Sequence, residues 1–232
     1  PGRVVDEMEF VIKHFNAREV YFDDDSFTID KSHVLQICDE INRRNLKIPW
    51  SCMADAMCAD SAMIQAMSDS GCIGMKFGVE SAEAEILKKI GKPLNYYKLR
   101  ELVKICAQKQ IKTHATFTFG LSGETRSTMQ KTMEFAKSLD VDSVQFSINT
   151  PFPGTRYYEE LKGKGMLMAR QWLDYDGGGR SVVQYSGLTA REVEDFCRLA
   201  SGRWLRHKLL DARWLSRQVY NLGRLLRGQG LM

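Results

Sequence analysis

Five stretches of strand-like sequence, each followed by helix-like sequence, recur along this chain at intervals of roughly thirty residues. The strands begin near residues 18, 48, 73, 111 and 142. Between them lie segments of helical period, such as "VVDEMEFVIKHF", "DKSHVLQICDEINRRN", "DSAMIQAMSDSG" and "RSTMQKTMEFAKSLD". Asp30 reads as the N-cap of the second of these and Gly71 as the stop of the third. A strand, a crossover helix and another strand is the unit of a parallel sheet. Repeated five times, it predicts an α/β fold, either an open parallel sheet or part of a β/α barrel.

A strand buried in such a sheet is normally apolar on both faces. Three of these strands are apolar on one face only. Ile73, Met75, Phe77 and Val79 alternate with Gly74, Lys76, Gly78 and Glu80. Ala115, Phe117 and Phe119 alternate with His114, Thr116 and Thr118, and Val144, Phe146 and Ile148 with Ser143, Gln145, Ser147 and Asn149. Helices cover the apolar set, so the polar set faces the other way, into what would be the barrel lumen. Each buried polar group left unpaired costs about 1–3 kcal/mol. Three strands doing this together call for a polar ligand inside. The competing arrangement is a flat sheet with one solvated face.

Ligands of parallel α/β folds bind at the carboxyl ends of strands. Here those ends read "DDDS" (23–26), "VESA" (79–82), "FGLSGET" (119–125) and "NTPFPGT" (149–155). Acids at two ends suit an ammonium or a pair of ribose hydroxyls, and glycines let backbone approach a flat group. The aspartates also allow a solvated turn, a helix cap or a divalent-cation site.

Read together, "VYFDDDSFTID", "GCIGMKFGVESAEAEILKKIGK", "THATFTFGLSGETRSTM" and "SVQFSINTPFPGTRYYEEL" resemble the radical S-adenosylmethionine enzymes. The subgroup with an N-terminal cobalamin-binding domain is the most similar. The resemblance covers residues 1 to about 168 and implies a partial β/α barrel. It further implies a 4Fe–4S cluster held by a CxxxCxxC loop, S-adenosylmethionine chelated by that cluster, and radical chemistry leading to methylation or cyclisation. Cobalamin is implied through the subgroup alone. Carried onto this chain, the resemblance sets Asp24 and Asp25 at the methionine amino group and Glu80 and Ser81 near the ribose hydroxyls. Gly120, Gly123 and Glu124 fall beside the adenine. Gln145, Asn149 and the "TPFPGT" loop fall near adenine and substrate, and Thr116 joins the cofactor-binding set from the lumen.

Two departures stand out. The CxxxCxxC loop and the first barrel strand are absent, so the expectation is a core fragment, inactive alone, whose cluster ligands lie upstream. In "WSCMAD" Asp55 stands where the family often has arginine. The six cysteines, at 38, 52, 58, 72, 106 and 197, fit neither a cluster motif nor a disulfide framework. They read as small apolar residues in a reduced, cytoplasmic protein.

The expected organisation is a core over residues 1–168, an irregular connector over 169–187 and basic amphipathic helices over 188–232. Between Arg198 and Arg227 eight Arg or Lys face one acid, Asp211. That segment is +7 and the remainder −3, summing to the net +4. No nucleic-acid partner is expected from such a balance. No apolar run is long enough to span a bilayer. Trp204, Leu205, Leu209, Leu210, Trp214, Leu215, Val219, Leu222, Leu225 and Leu226 recur among the arginines. They read as a helix pair packed on the barrel or on an upstream domain. The sharper alternative is peripheral membrane contact through 203–227, with a lipid-like substrate. Other expected partners are a small-molecule substrate, an electron donor and the missing N-terminal domain. Two rival functions remain: a metal-dependent β/α-barrel lyase or hydrolase using the aspartates, and a non-catalytic nucleotide- or membrane-binding module.

Overall fold

The computed structural model describes residues 1–169, 171–176 and 178–226, with side chains described as far as residue 219. Helix α1 (Gly2–Phe15) leads into strand β1 (Val20–Phe22), and α2 (Lys31–Arg43) into β2 (Trp50–Ala54). Helix α3 (Ser61–Asp69) precedes β3 (Cys72–Glu80). Helices α4 (Ala84–Lys89) and α5 (Tyr96–Gln108) precede β4 (Lys112–Phe119), and α6 (Arg126–Ser138) precedes β5 (Ser143–Ile148). Beyond the sheet come α7 (Arg156–Gly163), α8 (Ala190–Lys208) and α9 (Ala212–Leu226). The five strands form one sheet in the order β1-β2-β3-β4-β5, every neighbouring pair parallel. Parallel neighbours need a crossover of a dozen or more residues, and helices supply each one.

Local chemistry explains the boundaries. Asp30, Asp60, Asn95, Thr125, Thr155 and Thr189 each cap a helix by accepting a backbone N–H three residues on. Gly71 ends the α3 segment at φ +96°, where its missing Cβ avoids the Ile48 carbonyl.

The helix-covered face is dry. Met75, Phe77, Val79, Ala115, Phe117, Phe119, Phe146 and Ile148 are buried there. Phe117 and Phe119 each stack on Phe146 at 5.5 Å between ring centroids. Fully burying such a side chain stabilises the fold by about 1.5–3 kcal/mol. The opposite face carries the expected polar set, half-buried to exposed. Two irregularities adjust the alternation. Trp50 pairs with Cys72 and Ser51 with Gly74, so Ile73 bulges out of the ladder instead of joining the apolar row. Gly78 pairs with Thr116 and Glu80 with Phe117, so Val79 makes a second bulge that re-aims Glu80.

The basic tail packs on this core. Val193, Cys197, Ala200 and Trp204 of α8, at helical spacing, are buried in the same hydrophobic cluster as the sheet. Trp204 Nε1 donates to the Ala136 carbonyl at 3.2 Å, and Lys208 Nζ to the Leu139 carbonyl at 2.7 Å. Trp214 is buried, its Nε1 donating to the Asp142 carbonyl at 3.0 Å, and Arg217 pairs with Asp140 at 2.7 Å. Both tryptophans are therefore engaged by protein, while Leu209, Leu210 and Val219 stay exposed. The side chains of Leu222, Arg224, Leu225 and Leu226, and all of Arg227, lie outside the described residues. Among the described residues no helix is long and apolar enough to cross a membrane. Leu161 of α7 forms a small separate cluster with Val182 and Val183 of the connector.

Candidate functional site

Glu80 ends β3 in a left-handed conformation, φ +65°. For a non-glycine residue this costs on the order of 1 kcal/mol or more, and such strain concentrates at functional sites. The bulge and the strain turn its carboxylate onto the open face. Oε2 accepts from Thr118 Oγ1 at 2.6 Å, and Oε1 from Lys92 Nζ at 2.8 Å. The pair opens into a cavity of about 820 Å³ at the carboxyl ends of β3, β4 and β5. Lys89, Leu121, Ser122, Asn149 and Tyr157 are among its walls, with Arg156 and Glu160 at α7.

Gly78 keeps that carboxylate in place by having no side chain. A Cβ there would fall on Glu80 Oε1 and Lys92 Nζ. Gly78→Ala is therefore expected to displace the pair. Both atoms end flexible side chains, so the melting temperature should move little. Affinity for whatever Glu80 holds should drop at least about tenfold, or 1.4 kcal/mol, readable by titration calorimetry.

The loop after β4 is built around positive φ at Gly120 (+80°) and Gly123 (+86°). Glu124 folds back under it, its Oε2 accepting from the Gly120 and Leu121 N–H groups at 2.6 and 3.2 Å. Its Oε1 is buried with no partner. Burial pushes the carboxyl from an ordinary 4.5 up to about 7, against the pull of the two backbone bonds. The folded state thus binds this proton more tightly than the unfolded chain. Its contribution is full below about pH 4.5 and is lost as pH rises through about 7, some 3 kcal/mol in all. Glu124→Gln should flatten the stability profile between those two pH values in urea titrations, whereas an unchanged profile would contradict the assignment.

Tyrosines brace the same loop. Asn149 Nδ2 donates to the Gly120 carbonyl at 3.2 Å and to Tyr157 Oη at 2.7 Å. The Tyr157 and Tyr185 hydroxyls lie 2.6 Å apart, and Tyr185 also donates to the Gly120 carbonyl at 3.3 Å. Burial raises both phenols.

The expected residues are thus partly assembled. Glu80 and Asn149 line one cavity, with Gly120 and Gly123 shaping its loop. The Glu124 carboxylate turns inward onto its own loop. Ser81 is fully buried, its Oγ 3.3 Å from Thr132 Oγ1 of α6, because the chain has already turned toward the helix layer. Gln145 lies mid-strand and accepts from Lys76 at 3.3 Å. Thr116 lies between Gly78 and Gln145 on the open face. Asp24 and Asp25 are exposed at the end of β1, two strands or about 10 Å from β3. Asp24 lines a groove between α1 and β1. Thr118 belongs to the polar face already marked in the sequence, whereas Lys92, Tyr157 and Tyr185 were not singled out there. The lysines of "LKKIGK" were a visible signal, and nothing in the sequence ties Tyr185 to the loop.

Among the described residues no three His, Cys, Asp or Glu side chains are placed to hold a metal ion. All six cysteines are free. All but Cys58 are buried, and burial lifts the Cys38 and Cys106 thiols to about 11 and about 12. Buried thiols held protonated, such as those of Cys38 and Cys106, do not suit a 4Fe–4S cluster.

A sequence model of the Radical SAM superfamily matches residues 1–136. An uncharacterised methyltransferase of Pyrococcus horikoshii is 30% identical over 97% of this chain, which covers 49% of that protein. An anaerobic magnesium-protoporphyrin IX monomethyl ester cyclase of Rubrivivax gelatinosus is 25% identical over 71% of the chain, which covers 30% of it. The chain thus spans half or less of these relatives. Among solved structures, the radical S-adenosylmethionine methyltransferase TsrM of Kitasatospora setae, with cobalamin and a 4Fe–4S cluster bound, matches with TM-score 0.65. Identity there is 23%, with 82% of this chain and 39% of that one covered. Coproporphyrinogen III oxidase of Escherichia coli shares the fold at TM-score 0.62 and 10% identity, over 82% of this chain and 40% of that one. With the superfamily's sequence pattern running from α1 into α6, over more than half of its length, this chain belongs to the radical SAM superfamily.

Proposed function

We propose that this chain carries the S-adenosylmethionine site of a larger radical enzyme and that Glu80 is its nucleoside anchor. The superfamily uses S-adenosylmethionine and a 4Fe–4S cluster. The observation that carries the reading is Glu80 itself, strained, one-fifth exposed and aimed into a cavity. The donor set fits the molecule. A carboxylate accepts both hydroxyls of a ribose in charge-assisted bonds, and a diol can take the position that Lys92 now holds. Thr118 fixes the other oxygen. The glycine loop with Leu121 and Ser122 offers backbone and a small side chain to a flat base. Asp24 and Asp25, farther along the same end of the sheet, suit the ammonium of the methionine part. When bound with its cluster, S-adenosylmethionine supplies the radical chemistry from which the superfamily is named.

The cluster ligands, an electron donor and a cobalamin-binding domain would come from outside these 232 residues. Methylation is the favoured outcome, because the relative matched over nearly the whole chain is named a methyltransferase. Cobalamin use rests on the subgroup resemblance and on the likeness to TsrM. Calorimetric titration with S-adenosylhomocysteine tests the anchor. Saturable binding displaced by adenosine supports it, and absence of heat under conditions where the chain is folded overturns it.

A further inference from the structure

A second cavity of about 800 Å³ lies on the same open face, toward the amino ends of the strands. Lys76 reaches across β4 and donates to Gln145 Oε1 at 3.3 Å, and Gln145 donates in turn to Ser147 Oγ at 3.0 Å. His114, the ladder partner of Lys76, bonds Ser143 Oγ through Nδ1 at 2.8 Å. An ammonium carries three donors. Here one is spent, weakly, on a neutral amide, and among the described residues no carboxylate pairs with Lys76. The acids in these walls are committed or distant. Asp142 accepts from Thr113 N and Oγ1 through Oδ2, and Asp23 stands on the far side at β1. Burial and the Lys76 charge push the His114 imidazole below its ordinary value. An ammonium that meets only a neutral amide here, beside an imidazole and a hydroxyl bonded to each other, describes a place for an oxyanion.

We propose that Lys76, His114 and Ser143 form an anion subsite that takes the carboxylate or phosphoryl group of the small-molecule substrate. It lies about 13 Å from Glu80, four residues back along β3. That spacing leaves room for a nucleoside at the strand ends and an anionic substrate beneath it. The assignment to substrate rests on the nucleoside reading of the Glu80 cavity, and anion binding itself does not.

Inorganic phosphate is the probe. The 232-residue chain is titrated with it while the His114 ring resonances are followed by NMR. The expected result is saturable binding that shifts His114 and raises its pKa toward the ordinary value. Lys76→Met should weaken phosphate at least tenfold, Lys76→Arg should restore most of it, and both should bind S-adenosylhomocysteine like the parent chain. Unchanged phosphate affinity in Lys76→Met, or an unmoved His114, overturns the subsite. Displacement of phosphate by S-adenosylhomocysteine also overturns it, because the anion site would then belong to the nucleoside ligand. Phosphate binding at His114 without any S-adenosylhomocysteine binding supports the subsite and sinks the nucleoside reading alone.

Discussion

Glu80→Gly is expected to cost the chain about a hundredfold in affinity for S-adenosylhomocysteine while leaving its stability nearly unchanged. The two effects have separate causes. Hydrogen bonds to a charged group contribute about 1.5–3 kcal/mol each, and losing the carboxylate removes two from the ribose. A hundredfold, about 2.7 kcal/mol, is a conservative sum. On the stability side, glycine accepts φ +65° without the strain that glutamate carries there, a gain of about 1 kcal/mol. The lost Thr118 bond costs a similar amount, and the partner Lys92 is two-fifths exposed and rehydrates. Calorimetry and urea denaturation on the same preparation separate the two. A residue of purely structural value would show the opposite pattern, lost stability with intact binding.

Trp204→Ala carries the largest expected stability change. The indole is buried among α6, α8 and Trp214, edge-on to the latter at 6.0 Å. It also donates to the Ala136 carbonyl, which would be left without that bond. Truncating a buried tryptophan costs about 3–5 kcal/mol, which for a chain of this length is roughly 10 °C in melting temperature. The same variant tests what the tail is for. If α8 is part of the core, the whole transition shifts together. If the helix belonged instead to a membrane surface, the melting temperature would hold and binding to anionic vesicles would fall.

The sheet was legible because its signal is redundant. Apolar alternation, capping residues and glycine stops all mark the same boundaries, and the residue order in β3, β4 and β5 already separates a dry face from a wet one. Individual side chains were less legible for definite reasons. Ser81 follows Glu80 directly, yet one bulge and one left-handed residue send it into the helix layer. Glu124 sits in a glycine loop beside the cavity, and only coordinates show its carboxylate bonded to its own loop. Tyr185 reaches the loop from 65 residues beyond its partner, a separation that no local pattern encodes. The amphipathic tail offered two coverings for one apolar stripe, and sequence cannot choose between a sheet and a bilayer.

Whether the wet face of the sheet receives a charged nucleoside is settled most directly by mapping backbone amide shifts as S-adenosylhomocysteine is added to the labelled chain. We predict perturbations gathered at Glu80, Thr118, Leu121, Ser122 and Asn149, with α5 and α6 silent. Shifts confined to the helix layer, or scattered without saturation, would contradict the account.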